Sequence, residues 1–267
     1  MKQKIMLFLA GVFFLVAIFM GYQYMTYNHK LQVEQKTQTE KIAKAQKKFV
    51  KVKKKQDKNK SEVKDPQIKS INWTQLAQTN KHIIGWISIP GTTIDYPLMQ
   101  GQDNSFYLTH DYTDNESGFG SIFMDYSQPS DFSSKNTFIY GHNIPADPND
   151  VFTPLNKFYD SSFLKSHQTV YFYTPKAIYK GTIFAIHADS GVEYAHSMNF
   201  SSTKAYRKYI NYMIDRSTVK TNMKAKNVAK MVTLWTCADK TTTDNNGREV
   251  SAHKARTLVS VSIKQIQ

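Results

Sequence analysis

The chain contains a single cysteine, Cys237, within "TLWTCADK". One thiol excludes an internal disulfide and any zinc site built from several thiolates. The hydrophobic run before it ends at Leu234-Trp235-Thr236, and the polar loop "ADKTTTDNNGREVSAHK" follows. The sulfur therefore falls where a predicted strand opens into a loop, a position that favours access. A free cysteine is as often an inert core residue as a reactive one, so position alone leaves both readings open. A thiol with an ordinary pKa of ~8.5 is mostly protonated at neutral pH, and nucleophilic work requires a neighbour that favours the thiolate.

Histidine and arginine are the residue types that could supply that neighbour. Six of the eight histidines, His29, His82, His110, His167, His196 and His253, sit in polar or linker contexts. His187 lies in "IFAIHAD", within or at the end of a strand. His142 directly follows "TFIYG" and precedes the loop "NIPADPND", the same strand-to-loop position that Cys237 occupies. Among Arg207, Arg216, Arg248 and Arg256, the first two lie on a predicted helix and Arg248 lies mid-loop. Arg256 directly precedes the strand "TLVSVSI", where a guanidinium is held most rigidly. Such a group can pair with a thiolate or donate to a developing oxyanion.

These side chains need a scaffold. From about residue 67, strand-like runs recur between polar turns: "WISI", "TIDYPLM", "GSIFMDY", "NTFIYGH", "TVYFYT", "AIYKGTIFAIHA", "VAKMVTLWT" and "TLVSVSI". Regularly spaced short strands imply a mostly β closed barrel or sandwich. A short helix is predicted from the rough helical spacing of Trp73, Leu76, Ala77 and Ile83. In "SSTKAYRKYINYMIDRST", Tyr206, Tyr209, Ile210, Met213 and Ile214 follow helical spacing, with Ser201 or Ser202 as the cap. This amphipathic helix precedes the cysteine strand, and its aromatic stripe reads as core contact.

The net charge of +14 is not spread evenly. Residues 1–66 hold 15 Lys/Arg against 5 Asp/Glu, and the remainder 20 against 16. The folded part is only mildly basic, which argues against a nucleic-acid partner. Ile5 to Gly21 carries no charge and approaches the length of a membrane-spanning helix. Lys2 and Lys4 precede it; Tyr22, Tyr24 and Tyr27 follow as interfacial aromatics. No small-residue cleavage site follows, so residues 1–29 are expected to be a cytoplasmic tip and an uncleaved transmembrane anchor rather than a removed signal peptide. Residues 30–66 are expected to form a basic stalk too polar to bury a core, and residues 67–267 the folded domain. Lysines on both sides of the span leave its orientation open from charge alone. There is no Gly-rich phosphate loop, no H-E-x-x-H pattern, and no calcium-loop spacing.

Taken together, the motifs resemble those of the sortases, the cysteine transpeptidases of Gram-positive cell surfaces. "TLWTC" matches their T-L-x-T-C motif and "YGH" their histidine strand end. The block "GWISIPGTTIDYPLMQGQDNSFYLTHDY…GSIFMDY…NTFIYGHN" resembles class B sortases, and the likeness covers residues 70 to 267. The resemblance implies an eight-stranded sortase barrel, with the class B helix at 201–217. It implies a single-pass protein of the cell membrane with its catalytic domain outside the cell. It implies Cys237 as nucleophile, His142 as acid/base and Arg256 as oxyanion donor, with Asn104, Leu108, Tyr140 and Thr236 lining the peptide site. It implies cleavage of a C-terminal sorting signal on secreted proteins and transfer of the acyl group to an amine, from a peptidoglycan precursor or a pilin lysine, with no metal or other cofactor. The alternatives are a pilin-polymerising sortase, a hydrolytic cysteine peptidase, and a membrane-anchored binding module with a vestigial thiol. Arg256 lies 19 residues beyond the cysteine, further than is usual in the family; Arg248, at 11, fits the usual gap but not the strand start. Trp235 fills the variable position of the motif with a very large side chain.

Overall fold

A computed structural model of the chain describes residues 2–52, 68–145, 147, 149–190, 194–239, 241–243, 249–251 and 254–267. The chain divides into two compact units, Met1–Lys41 and Ile42–Gln267. In the first, helix α1 (Lys2–Phe49) carries Leu9, Phe13, Phe14, Leu15, Ile18, Phe19 and Met20 exposed. Large apolar side chains on all sides of a helix suit a lipid surround rather than water. Its apolar stretch is long enough to cross a membrane.

The second unit begins within the Lys/Gln-rich segment. Ile42, Ala45 and Phe49, spaced on one helical face, are buried in its core. The following residues, Val50–Val52, pair antiparallel with Lys69–Ile71. Helix α2 (Trp73–Thr79) is capped by Asn72, whose side chain accepts from the Gln75 N–H, and helix α3 (Ser161–Ser166) by Asp160, whose side chain accepts from the Phe163 N–H.

Eight strands close the barrel: β1 (Ile83–Ser88), β2 (Asp95–Met99), β3 (Ile122–Met124), β4 (Asn136–Tyr140), β5 (Thr169–Tyr173), β6 (Ile178–Asp189), β7 (Met231–Cys237) and β8 (Arg256–Gln265). They correspond one for one to the eight runs read in the sequence. The order around the barrel is β8-β6-β5-β1-β2-β3-β4-β7, with β7 returning to β8. β2–β3 and β4–β7 are parallel, and the other pairs are antiparallel. Closure leaves no free edge for another chain to pair with.

Alternation along each strand divides its side chains between two faces. Val232, Leu234, Ile139, Val259 and Val261 join the interior cluster with Trp86, Leu98 and Phe172. On the opposite face, Met231, Leu258 and Phe184 pack under helix α4 (Thr203–Arg216), which contributes Tyr206, Tyr209, Ile210 and Met213. Ser202 caps α4, accepting from the Ala205 N–H at 3.1 Å. The expected amphipathic helix is therefore present, and its aromatic stripe is core.

Candidate active site

Strand register assembles the site. β4 and β7 run parallel with Tyr140 opposite Trp235. Both therefore leave the barrel at the same end, and the Gly141 N–H extends the ladder by donating to the Trp235 carbonyl at 3.2 Å. His142 lies two residues beyond Tyr140, just as Cys237 lies two beyond Trp235. β7 and β8 run antiparallel, and Arg256 is the direct cross-strand partner of Cys237. Side chains directly opposite on neighbouring strands share a face, with Cβ atoms roughly 4.5–5.5 Å apart. Three residues separated by up to 114 positions in the sequence thus come to one rim. Arg248 falls outside the described residues.

Cys237 is free and half-buried. The His142 ring, also half-buried, places Nε2 2.7 Å from the Leu108 carbonyl. A carbonyl only accepts, so Nε2 carries the hydrogen and Nδ1 is the nitrogen left to exchange a proton. The loop behind the histidine is tied down at several points. The Phe152 N–H donates to the His142 carbonyl at 3.1 Å. The Ile144 N–H donates to Thr153 Oγ1 at 2.7 Å, and the Asn143 amide donates to Asp239, two residues past the cysteine. The Arg256 guanidinium is held along one edge, where Nη1 donates to the Ala255 carbonyl at 3.0 Å and the Lys254 carbonyl at 3.3 Å.

The four expected peptide-lining residues have different settings. Leu108 contributes its carbonyl to His142. Tyr140 donates its hydroxyl to Asp125 Oδ2 at 2.8 Å and meets His196 Nε2 at 2.6 Å. Asn104 donates to the same Asp125 oxygen at 2.8 Å and accepts the Tyr126 N–H at 3.0 Å. Thr236 is 2% exposed, and its hydroxyl has no hydrogen-bond partner among the described residues. By strand alternation its side chain belongs to the face opposite that of Cys237.

Asp125 escaped the sequence reading, and His196, read there as lying in a polar or linker context, packs among aromatic rings. Asp125 is buried, which raises its pKa, but donors from Ser127, Tyr140 and Asn104 outweigh burial and hold the carboxyl below the usual range. His196 packs against Phe138, Tyr140 and Trp235, and its burial lowers its pKa against the opposing pull of Asp125. The signal that could have found Asp125 is its place immediately after "IFM", at the end of β3; it joins the network through its side chain, which accepts from the Tyr140 hydroxyl. A separate groove of about 610 Å³ lies along α4, bounded by Tyr194, Arg207, Tyr212 and Arg216; no member of the trio lines it. Among the described residues, no group of three His, Cys, Asp or Glu side chains could hold a metal ion.

The sortase domain family model matches residues 87–255. The chain belongs to the sortase family. Sortase B of Listeria monocytogenes is 35% identical over 162 residues, a match spanning 61% of this chain and 65% of that protein's own length. A crystal structure from Bacillus anthracis described as similar to sortase B superposes with a TM-score of 0.67 at 26% identity, covering 86% of this chain and 97% of that one. A crystal structure of a sortase B complexed with triglycine superposes with a TM-score of 0.63 at 26% identity, covering 73% and 86%. The eight-stranded closed barrel that the resemblance implied is thus the fold that this chain shares with solved sortases.

Proposed function

We propose that this sortase is a membrane-anchored cysteine transpeptidase that cleaves a sorting signal on secreted proteins and passes the acyl group to an amine. The observation that carries the reading is the register that makes Arg256 the cross-strand partner of Cys237, with His142 at the end of the parallel strand on the other side.

In this mechanism the imidazolium of His142 accompanies the Cys237 thiolate. The sulfur attacks the carbonyl carbon of the threonine in a peptide that contains proline and threonine. The negative charge that develops on the carbonyl oxygen meets the Arg256 guanidinium, a preorganised donor of the kind that lowers such barriers most. His142 Nδ1–H gives its proton to the departing amine as the C–N bond breaks, leaving a thioester on Cys237. An incoming amine then attacks the thioester, His142 Nδ1 takes its proton, and the thiolate leaves. The Leu108 carbonyl holds Nε2–H in both protonation states, so the ring keeps one orientation through the cycle. The chemistry needs no cofactor. A sortase B has been crystallised with triglycine, and a glycine-type amine on a peptidoglycan precursor is the acceptor we assign. Asn104, Leu108, Tyr140 and the Thr236 backbone form the wall along which the peptide lies.

The assignment implies a single-pass chain with its catalytic unit outside the cell. Because Cys237 is the sole thiol, a membrane-impermeant maleimide added to intact cells should label the protein; labelling only after lysis would place the unit inside. The transfer itself is tested with the full chain in detergent micelles, a proline- and threonine-containing pentapeptide library, and triglycine. A peptide–triglycine product is expected. Hydrolysis product alone, undiminished by triglycine, would indicate a peptidase instead.

A further inference from the structure

Asp189 ends β6 as the direct cross-strand partner of Arg256. Arg256 is in turn the partner of Cys237. Direct partners share a face, so a carboxylate, a guanidinium and a thiol form one row across β6, β8 and β7. Asp189 is 1% exposed, and a buried carboxylate persists only where donors gather on it. They do: Tyr212 donates its hydroxyl to Oδ2 at 3.0 Å, Arg216 Nε lies 3.5 Å from the same oxygen, and His187 Nε2 lies 3.7 Å from it. Burial opposes ionisation of Asp189, but His187, Tyr212 and Arg216 together hold its pKa below the usual carboxylate range.

These contacts all fall on Oδ2, and two of the three come from α4. The helix thus fixes Oδ2 of Asp189. Across the strand pair, the Arg256 guanidinium is pinned on its Nη1 edge by the carbonyls of Lys254 and Ala255. Those carbonyls lie in the loop before β8, and loops hold geometry less well than strands. A guanidinium has five N–H donors in a fixed fork, so a second anchor on the rigid strand side would stop the fork from turning with its loop.

We propose that Asp189 is a positioning residue for Arg256, its Oδ1 accepting from the guanidinium across β6–β8 so that the remaining N–H groups face the carbonyl undergoing attack at Cys237. The chain of support runs from α4 through Tyr212 and Arg216 to Asp189, then to Arg256 and the site. This gives the amphipathic helix a catalytic purpose besides covering the barrel. It rests on the assignment of Arg256 as oxyanion donor.

The experiment uses the full chain in detergent micelles with whichever library peptide gives the largest acyl-enzyme yield. Asp189→Asn keeps the shape and removes the charge. It should lower kcat by about 10- to 100-fold, the scale of a misplaced transition-state contact, with KM and the rate of Cys237 alkylation by iodoacetamide each within twofold. In an Arg256→Ala background the same change should cost nothing further. A folded Asp189→Asn protein with unchanged kcat, or one that loses as much without Arg256 as with it, overturns the proposal. If circular dichroism shows that Asp189→Asn does not fold, Tyr212→Phe takes its place: a several-fold loss of kcat confined to the Arg256-containing protein supports the proposal, and no such loss overturns it. A wild-type chain that acylates with no peptide would instead overturn the proposed function. The Nε–H signal of Arg256 in arginine-labelled protein, assigned by its loss in Arg256→Ala, then decides the positioning separately. Asp189→Asn should shift or broaden that signal, and an unchanged signal sinks the proposal.

Discussion

Gly141 stands between the last ladder residue of β4 and His142, and replacing it with alanine tests how the imidazole is held. An added Cβ would sit 2.8 Å from Phe152 Cδ2, 2.9 Å from Cγ and 3.2 Å from Cβ. Carbon atoms in contact prefer about 3.5–4.0 Å, so roughly 0.7 Å of overlap must be relieved. Phe152 has no exposed surface and cannot swing into solvent. Overpacking of this kind costs about 1–3 kcal/mol. Loss of glycine freedom in the unfolded chain returns about 0.4–1 kcal/mol. The net, at mid-range about 1.3 kcal/mol and at most about 2.6 kcal/mol, should lower Tm by roughly 3–5 °C, and by no more than about 10 °C, in a protein of this size. The backbone has little room to absorb the strain elsewhere, because the Gly141 N–H is bonded to Trp235 and the His142 carbonyl to the Phe152 N–H. Relief therefore moves His142, and a displacement of a fraction of an ångström should lower kcat by about 10- to 100-fold. Differential scanning fluorimetry and peptide-cleavage kinetics measure the two effects, with Cys237 alkylation as a control for the thiol itself. A variant with Tm within 1 °C of wild type and unchanged kcat would show that Phe152 packing does not set the histidine.

Three further perturbations test other parts of the fold. Burial, against the hydrogen bond from Tyr96 and with the neighbouring charge of Asp147, raises the Asp150 pKa to about 6 from the ordinary 3.8. The folded chain therefore holds that proton to higher pH than the unfolded chain; the stabilisation is complete below pH 3.8 and is lost as pH rises through about 6. Asp150→Asn should remove this dependence, so its Tm relative to wild type should rise between about pH 4 and 7, and a constant difference would speak against the raised pKa. Tyr140→Phe takes one donor from buried Asp125 and the partner from His196, and should cost about 1–3 kcal/mol; an unchanged denaturation midpoint would refute it. Ser202→Ala removes the α4 cap and should cost about 1 kcal/mol, lowering Tm by about 2–4 °C, with kcat within twofold; a Tm equal to wild type would count against the cap.

The sequence disclosed what is local and periodic. Eight apolar runs bounded by polar turns became eight strands, and the spacing of Tyr206, Tyr209, Ile210 and Met213 became a buried helical stripe. It did not disclose pairing. That β4 lies parallel to β7, and β2 to β3, depends on contacts between segments that no local pattern connects. The sequence reading opened the folded domain at residue 67, yet Ile42, Ala45 and Phe49 are core residues of the second unit. Three apolar side chains among lysines and glutamines are too sparse to register as a core face until the surface they cover is known. The site divides in the same way. That Cys237, His142 and Arg256 lie at or just beyond strand ends was legible, because each borders an apolar run. The role of Asp125 as acceptor for Tyr140 and Asn104 was not, since an acid in an apolar context acquires its meaning from partners on other strands. Thr236, named from the resemblance alone, is buried, and strand alternation turns its side chain to the face opposite that of Cys237.

In the proposed cycle the sulfur at residue 237 carries the acyl group, and every other role depends on that. Intact-mass spectrometry of the full chain, quenched in acid after brief mixing with the peptide library, reads this step itself. A mass increase equal to the acyl portion of one peptide is predicted, located on Cys237 by fragmentation, absent in Cys237→Ala and discharged by triglycine. Cleavage of peptide while Cys237 stays unmodified, or cleavage retained in Cys237→Ala, would rule the mechanism out.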